Sequence, residues 1–304
     1  LDIPAICDME PLAPETPRPG QKPGRSGRVL EDQMFRAIEF APDGTRAAHQ
    51  GALMPPEPAS IAVPPDVTIC LTSCGRPDLL RRTLDSFHRF NPGGELIISE
   101  DCADSILIAE IAANHPTARI LSGPKQIGQM RSIDRLFSEV KTPYLFHLEE
   151  DWLFGGPVNW RAAIALLASR DEVANVAVRA FSEIKEKYRR RSDAVTLQGE
   201  NFRLMHRDAH PEFFGWSNGP GLMRTALYDA YAPFGRMRHD QMSALIKRDG
   251  RREAYLVPGV AHHIGQKRNV KDPTTPARPK SKAAKYVRWV KKRLYYAGFR
   301  EQPY

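Results

Sequence analysis

The chain has 304 residues, of which 41% are hydrophobic and 26% charged, and a formal net charge of +8. That length can bury one large or two modest cores, and no apolar run approaches the roughly 20 residues that a membrane-spanning helix needs. The charge excludes a uniformly basic nucleic-acid binder: Gln266–Tyr304 holds 12 Lys and Arg against 2 Asp and Glu, which leaves the preceding body near neutral. The chain opens on Leu1, which reads as a processed or trimmed start. Residues 1–20 show no basic region followed by an apolar one, so no secretory signal is read there. Cys7, Cys70, Cys74 and Cys102 form no CxxC pair and no zinc pattern, which fits free thiols in a reducing, cytoplasmic setting.

Residues 1–65 are proline-rich and weakly periodic, an expected extended arm with one short helix around Glu31–Ile38. From Asp66 the pattern sharpens. Val67–Ser73 reads as a buried strand, and Pro77 suits the first position of a helix with Leu80, Leu84 and Phe87 on one face. Glu95–Ser99 is a second strand, Ser105–Ala113 a helix, Ala118–Leu121 a third strand and Ile127–Val140 a third helix. The Tyr144–Leu148 strand then ends in three consecutive carboxylates, Glu149, Glu150 and Asp151. Strands alternating with helices predict an α/β fold with a mostly parallel sheet covered on both faces. The polar strand ends (Thr72–Arg76, Glu100–Asp101 and Glu149–Asp151) then share one edge, where ligands of open α/β sheets bind. Adjacent carboxylates repel one another and call for a compensating cation.

Further along, Asn159–Ala168 reads as a helix, Asn175–Ala180 as a strand and Glu183–Arg191 as a charged, solvated stretch. Phe213–Arg224 mixes aromatics, glycine and Asn218, which suits either a surface for a flat polar ligand or core aromatics beside a turn. His239–Arg248 is a helix and Glu253–Val257 a strand, followed by His262 and His263. In the tail, Tyr286, Val287, Val290 and Leu294 form an apolar stripe beside Lys285, Arg288 and Lys292. Residues 281–296 thus suit an anionic membrane surface, a nucleic acid, or packing on the body.

Taken together, residues 66–265 resemble the GT-A glycosyltransferases, nearest to family 2. The resemblance rests on the Val-Thr-Ile-Cys-Leu-Thr-Ser strand, Ile98-Ser99-Glu100-Asp101, Ile127-Gly128-Gln129-Met130-Arg131, Leu148-Glu149-Glu150-Asp151, Asp240 opening a helix, and His263-Ile264-Gly265. It implies a Rossmann-like GT-A fold and an inverting transferase that uses a nucleotide-sugar donor and a glycan, lipid-linked or other hydroxyl acceptor. The arm (1–65) and the basic tail (266–304) lie outside it. It implies a nucleotide-sugar site from Thr72, Arg76, Glu100, Asp101, Gly128, Arg131, Glu149 and Glu150. A divalent metal would sit on Asp151 and Glu149 with His263, and the imidazole favours Mn2+ over Mg2+. Asp240 matches the position of the general base, and Trp216 and Asn218 fall on the acceptor side. Glu149 stands where the family usually has Asp, and His239 where it usually has an acid. Two other functions stay open: a non-catalytic protein on a GT-A body, and a nucleic-acid-associated protein using the tail. A peripheral position at the inner membrane face would follow from residues 281–296.

Overall fold

The computed structural model describes residues 59–275 and 279–297; the expected helix around Glu31–Ile38 and Cys7 lie outside the described residues. β1 (Val67–Ser73), α1 (Pro77–Phe90), β2 (Glu95–Glu100), α2 (Ser105–Asn114), β3 (Arg119–Leu121), α3 (Gln129–Phe137) and β4 (Tyr144–Glu149) alternate as the periodicity requires. They continue through β5 (Trp152–Phe154), α4 (Trp160–Ser169), β6 (Val173–Ala177), a short α5 (Glu186–Arg189), β7 (Ser192–Leu197) and β8 (Glu200–Met205). The remainder is β9 (Gly221–Arg224), α6 (Thr225–Tyr231), α7 (His239–Arg248), β10 (Arg252–Val257), β11 (Ala261–His263) and α8 (Lys282–Tyr296).

The main sheet has the order β3-β2-β1-β4-β9-β6-β10-β8-β7, and within it β9 and β8 run against the others. Its central strands are buried on both faces, which is why they read as unbroken apolar runs. Ile69, Leu71, Phe146 and Leu148 face a core closed by Leu84 and Phe87 of α1 and Trp160 and Leu166 of α4. Cys70, Ile97, Leu145 and Met223 face the other way, against Ile133 and Phe137 of α3, Leu227 of α6 and Met242 of α7. Each strand thus alternates between two helical layers, and both layers are needed to exclude water from it.

From β1 the chain steps outward through β2 to β3 and then returns to the other side of β1 as β4. β1 and β4 therefore flank a topological switch point, where the connections diverge and leave a crevice beyond the strand ends. β11 pairs antiparallel with β5, placing His263 opposite Trp152. That two-stranded sheet carries a residue from the end of the fold to the turn that follows β4.

Candidate functional site

The crevice beyond β1, β2 and β4 holds a cavity of about 470 Å³. The loops after these three strands contribute to it, and they are fixed by backbone donors meeting carboxylates. The loop after β1 is held by Glu100, whose Oε1 accepts from Gly75 N–H (2.9 Å) and Cys102 N–H (3.0 Å). Gly75 takes φ +66°, a conformation that favours glycine. Glu100 itself is fully buried and does not line the cavity, so it buttresses the loop and is not a ligand-binding group as the sequence suggested. Asp101 does line it, and accepts from Ile127 N–H (2.9 Å) and Gly128 N–H (2.8 Å). Burial raises the pKa of Asp101 despite those two bonds.

The acidic triplet is divided by its partners. Glu149 accepts from Gln129 Nε2 and from Asn218 Nδ2 (3.1 Å). Burial first, then the neighbouring charges of Asp151 and Glu150, push its pKa up to about 8. Glu150 accepts from Cys74 N–H (3.0 Å) and Arg76 Nε (2.8 Å), while its backbone carbonyl accepts from Thr83 Oγ1 (2.6 Å) on α1. Asp151 lies 2.9 Å from Arg76 Nη1 and 3.4 Å from His263 Nε2. Burial works to raise the pKa of Asp151, but His263 and the Arg76 guanidinium outweigh it and hold the carboxyl below its usual range. Arg76 is thus the cation that the three carboxylates call for, clamped between Glu150 and Asp151 at 2.8 Å and 2.9 Å. A side chain at Gly265 would strike Asp151 Oδ2, so the glycine makes room for this carboxylate.

Metal ligation differs from the sequence expectation. Among the described residues no group of three His, Cys, Asp or Glu side chains gathers to hold an ion. Glu149, expected as a further ligand, has its carboxyl bonded to Gln129 and Asn218. Asp151 Oδ1 nevertheless has no hydrogen-bond partner although it is buried. One free carboxylate oxygen beside an imidazole fits an ion whose other ligands come from a bound phosphate and water, the usual arrangement for a cation carried on a nucleotide. It does not fit an all-protein cage.

The segment after Gly265 contributes more than the sequence indicated. Asn269, Val270 and Asp272 line the cavity. Arg268 forms a two-point ion pair with Asp78 at 2.6 and 2.9 Å, and its carbonyl accepts from Arg76 Nη1 (3.2 Å). Asp272 Oδ2 accepts from Gln129 N–H (3.0 Å) at the first turn of α3. Gly128 allows this approach, since a Cβ there would stand 2.7 Å from Asp272 Oδ1. Sequence reasoning passed over Asp272 because it is one acid in a basic run; the proline after it was the available turn signal. Gln126, Gln129 and Ser132 also line the cavity and carried no distinguishing pattern. Arg131 does not line it: the side chain is exposed and packs beside Gly235.

A second cavity of about 620 Å³ adjoins the first, and Glu149 and His263 line both. Trp216 and Asn218 line this second space, which therefore unites the two residues assigned to the acceptor side. Trp216 is 1% exposed and packs on Phe234 and His239, so most of its ring belongs to the core. Asp240, expected as the base, lines neither cavity. Its carboxylate pairs with Arg238 (2.8 Å) and with Lys292 (3.0 Å) of α8. Burial works to raise its pKa, but these cations prevail and hold it below the usual range. Through Lys292, Asp240 ties α8 to the body.

The sheet order, the switch point between β1 and β4, the acidic turn after β4 and the reversed strand β9 together decide the architecture. It is a mixed α/β fold with one large sheet whose β3-β2-β1-β4 part is parallel, as the sequence pattern predicts. No family model matches this chain, and no curated protein matches it. Among solved structures the chain is similar to S. aureus TarS 1-349 in complex with UDP-GlcNAc, at 14% identity and a TM-score of 0.49, over 74% of this chain and 65% of that one. It is similar to the mannosyltransferase PcManGT from Pyrobaculum calidifontis in complex with GDP-Man and Mn2+, at 12% identity and a TM-score of 0.46, over 80% and 65% of the two chains. It is also similar to GalNAc-T7 with UDP, GalNAc and Mn2+, at 13% identity and a TM-score of 0.47, over 76% and 50%. The chain spans between half and two thirds of the length of these three proteins.

Proposed function

We propose that this chain transfers a sugar from a nucleoside diphosphate sugar, bound in the first cavity, to a hydroxyl of an acceptor bound in the second. The observation that carries this reading is the meeting of the two cavities at Glu149 and His263, directly beside the acidic turn that Arg76 compensates. A transferase needs its donor and acceptor spaces to share a boundary, and the reacting atoms to lie within a few ångströms of one another. Asp101 and Thr72 line this cavity and are the residues that would meet the nucleoside. Arg76 takes the diphosphate, since a doubly charged leaving group competes for the guanidinium that Glu150 and Asp151 hold in its absence.

Asp151 and His263 are the residues that would hold a divalent ion, Mn2+ in preference to Mg2+ because of the imidazole. Such an ion supplies positive charge to the diphosphate as the glycosidic bond breaks. The remaining work falls to this chain's side chains. Gln129 and Asn218 fix Glu149 at the boundary, and the β5–β11 pairing fixes His263 there. The proton of the attacking hydroxyl passes to the carboxylate of Glu149 at this boundary, so Glu149 takes the role that the sequence assigned to Asp240, and His263 is kept for the ion. A single displacement of this kind inverts the anomeric centre.

The test is a donor screen for nucleotide-sugar hydrolysis with and without Mn2+, followed by NMR of the anomeric configuration in the transferred product. Absence of turnover with every donor, despite nucleoside diphosphate binding, would leave a binding protein on a GT-A body. The exposed Tyr286, Val287, Trp289 and Leu294 of α8, flanked by basic residues, further support contact with an anionic membrane surface. Among the described residues no helix is long and apolar enough to cross a membrane.

A further inference from the structure

The second cavity has a chemistry of its own, and most of the large side chains that line it carry rings. His210 and Phe213 stack with centroids 4.6 Å apart and planes within 28°. Phe213 and His239 follow at 6.0 Å and 24°. Phe213 sits in this series yet is 38% exposed, a large apolar ring left open at the cavity wall. Burial pushes the His239 imidazole down to about 4 and also lowers His210, so both rings are uncharged near neutrality and can present apolar faces.

The polar part of the same wall is held in place by its own bonds. Asn218 Nδ2 is fixed on Glu149 (3.1 Å). The Ser217 hydroxyl is fixed on Glu253, a carboxylate 1% exposed that also accepts from Tyr255 OH (3.0 Å). A ligand suited to both surfaces has a flat C–H face for the rings and a rim of hydroxyls for the polar groups. A lipid tail would need aliphatic walls, and the aliphatic side chains here are little more than Ala177, Ile184 and Pro220. A polypeptide bound by backbone pairing would need a free strand edge. In the main sheet β9 lies between β4 and β6, and β10 between β6 and β8, so neither offers one, and the β5–β11 sheet at the other wall has strands of only 3 residues.

We infer that the acceptor is a saccharide, its ring seated against the His210–Phe213–His239 array with Phe213 as the exposed contact and its hydroxyls turned to Asn218 and Ser217. The inference rests on the transferase reading for the word acceptor, but its binding can be tested without turnover. Saturation-transfer NMR on the full chain would compare oligosaccharides of varied composition with a water-soluble short-chain prenyl phosphate and a Ser/Thr-rich peptide. Saturation passing to ring C–H protons of at least one saccharide is expected, with none to the other two probes. Phe213→Ala should weaken that saccharide about tenfold, read as Kd or as acceptor KM, whereas Phe213→Tyr should retain it; thermal melting of both variants checks folding. No saturation of any saccharide, preferential binding of the prenyl phosphate or the peptide, or an unchanged Kd in a folded Phe213→Ala would overturn the inference. Saccharide binding in a chain that hydrolyses no nucleotide sugar would keep the inference and remove the transferase reading.

Discussion

Arg76 is the residue whose removal tests most of the donor site at once. Its guanidinium bridges Glu150 and Asp151 at 2.8 Å and 2.9 Å, and the three side chains are only 14%, 4% and 9% exposed. In Arg76→Ala, Glu150 keeps the Cys74 N–H and Asp151 keeps His263, but no fixed positive charge remains between them. Removing one partner of a buried ion pair typically costs about 3–5 kcal/mol, because the other charge stays buried. Partial exposure of Arg76 puts the expectation at the low end, about 3 kcal/mol. For a body of this size that lowers the melting temperature by roughly 6–12 °C. Urea unfolding of the full chain should show the same loss as a shifted midpoint at unchanged slope. Two further measurements identify the cause. In a Glu150→Gln/Asp151→Asn background the Arg76→Ala change should cost less than about 1 kcal/mol, since the charges it compensated are gone. Mn2+ at about 100 times its Kd should return roughly 2.7 kcal/mol to Arg76→Ala, and clearly less to the unaltered chain, whose Arg76 competes for Asp151. A loss below 1 kcal/mol in the single variant, or equal Mn2+ stabilisation of both proteins, would refute the view that one site serves guanidinium and divalent ion alternately.

Asp151→Ala should abolish Mn2+-dependent affinity for UDP and GDP; an affinity that Mn2+ still raises in that variant as it does in the unaltered chain would remove the metal assignment. Asp240→Asn should loosen α8, seen as faster proteolysis near Ser281, and keep transfer within about tenfold; a loss of 10²–10⁴-fold, the usual worth of a positioned base, would return the catalytic role to Asp240. Burial lowers His147 from 6.5 to about 3, so between those values the unfolded chain binds a proton that the folded imidazole refuses. Stability therefore falls as pH falls through that window, and His147→Gln should flatten the slope of urea midpoint against pH; an unchanged slope would assign the acid sensitivity elsewhere. Deleting residues from Ser281 onward should abolish flotation with anionic vesicles at low salt, since each basic side chain near such a surface contributes about 1 kcal/mol; equal flotation of both proteins would rule out α8 as the contact.

The parallel half of the sheet was legible because its strands are apolar throughout and its helices repeat their apolar residues at helical spacing, as Leu80, Leu84 and Phe87 do. The polar ends of β1, β2 and β4 could be placed together from topology alone. The strands β7 and β8 were not anticipated: they form an edge hairpin with mixed burial, so no apolar run announces them. β9 escaped notice because it spans four residues just after Gly219 and Pro220, where turn chemistry dominates the local pattern. At the site, the sequence could name the acids but not their partners. That Glu149 would turn to Asn218, Glu100 to the Gly75 loop and Asp240 to Lys292 depends on contacts between segments far apart in the chain.

The carboxylate of Asp272 at the first turn of α3 has a kinetic consequence. A phosphate group drawn to that turn finds the Gln129 N–H already occupied by an anion from the same chain. Entry of a nucleotide at that position is therefore an exchange reaction, in which one negative group leaves as another arrives. The observed rate of association should level off at high nucleotide concentration, at the rate with which Asp272 lets go, and Asp272→Asn should raise that plateau. A rate that climbs linearly to the limits of rapid mixing would mean that the nucleotide never visits this turn.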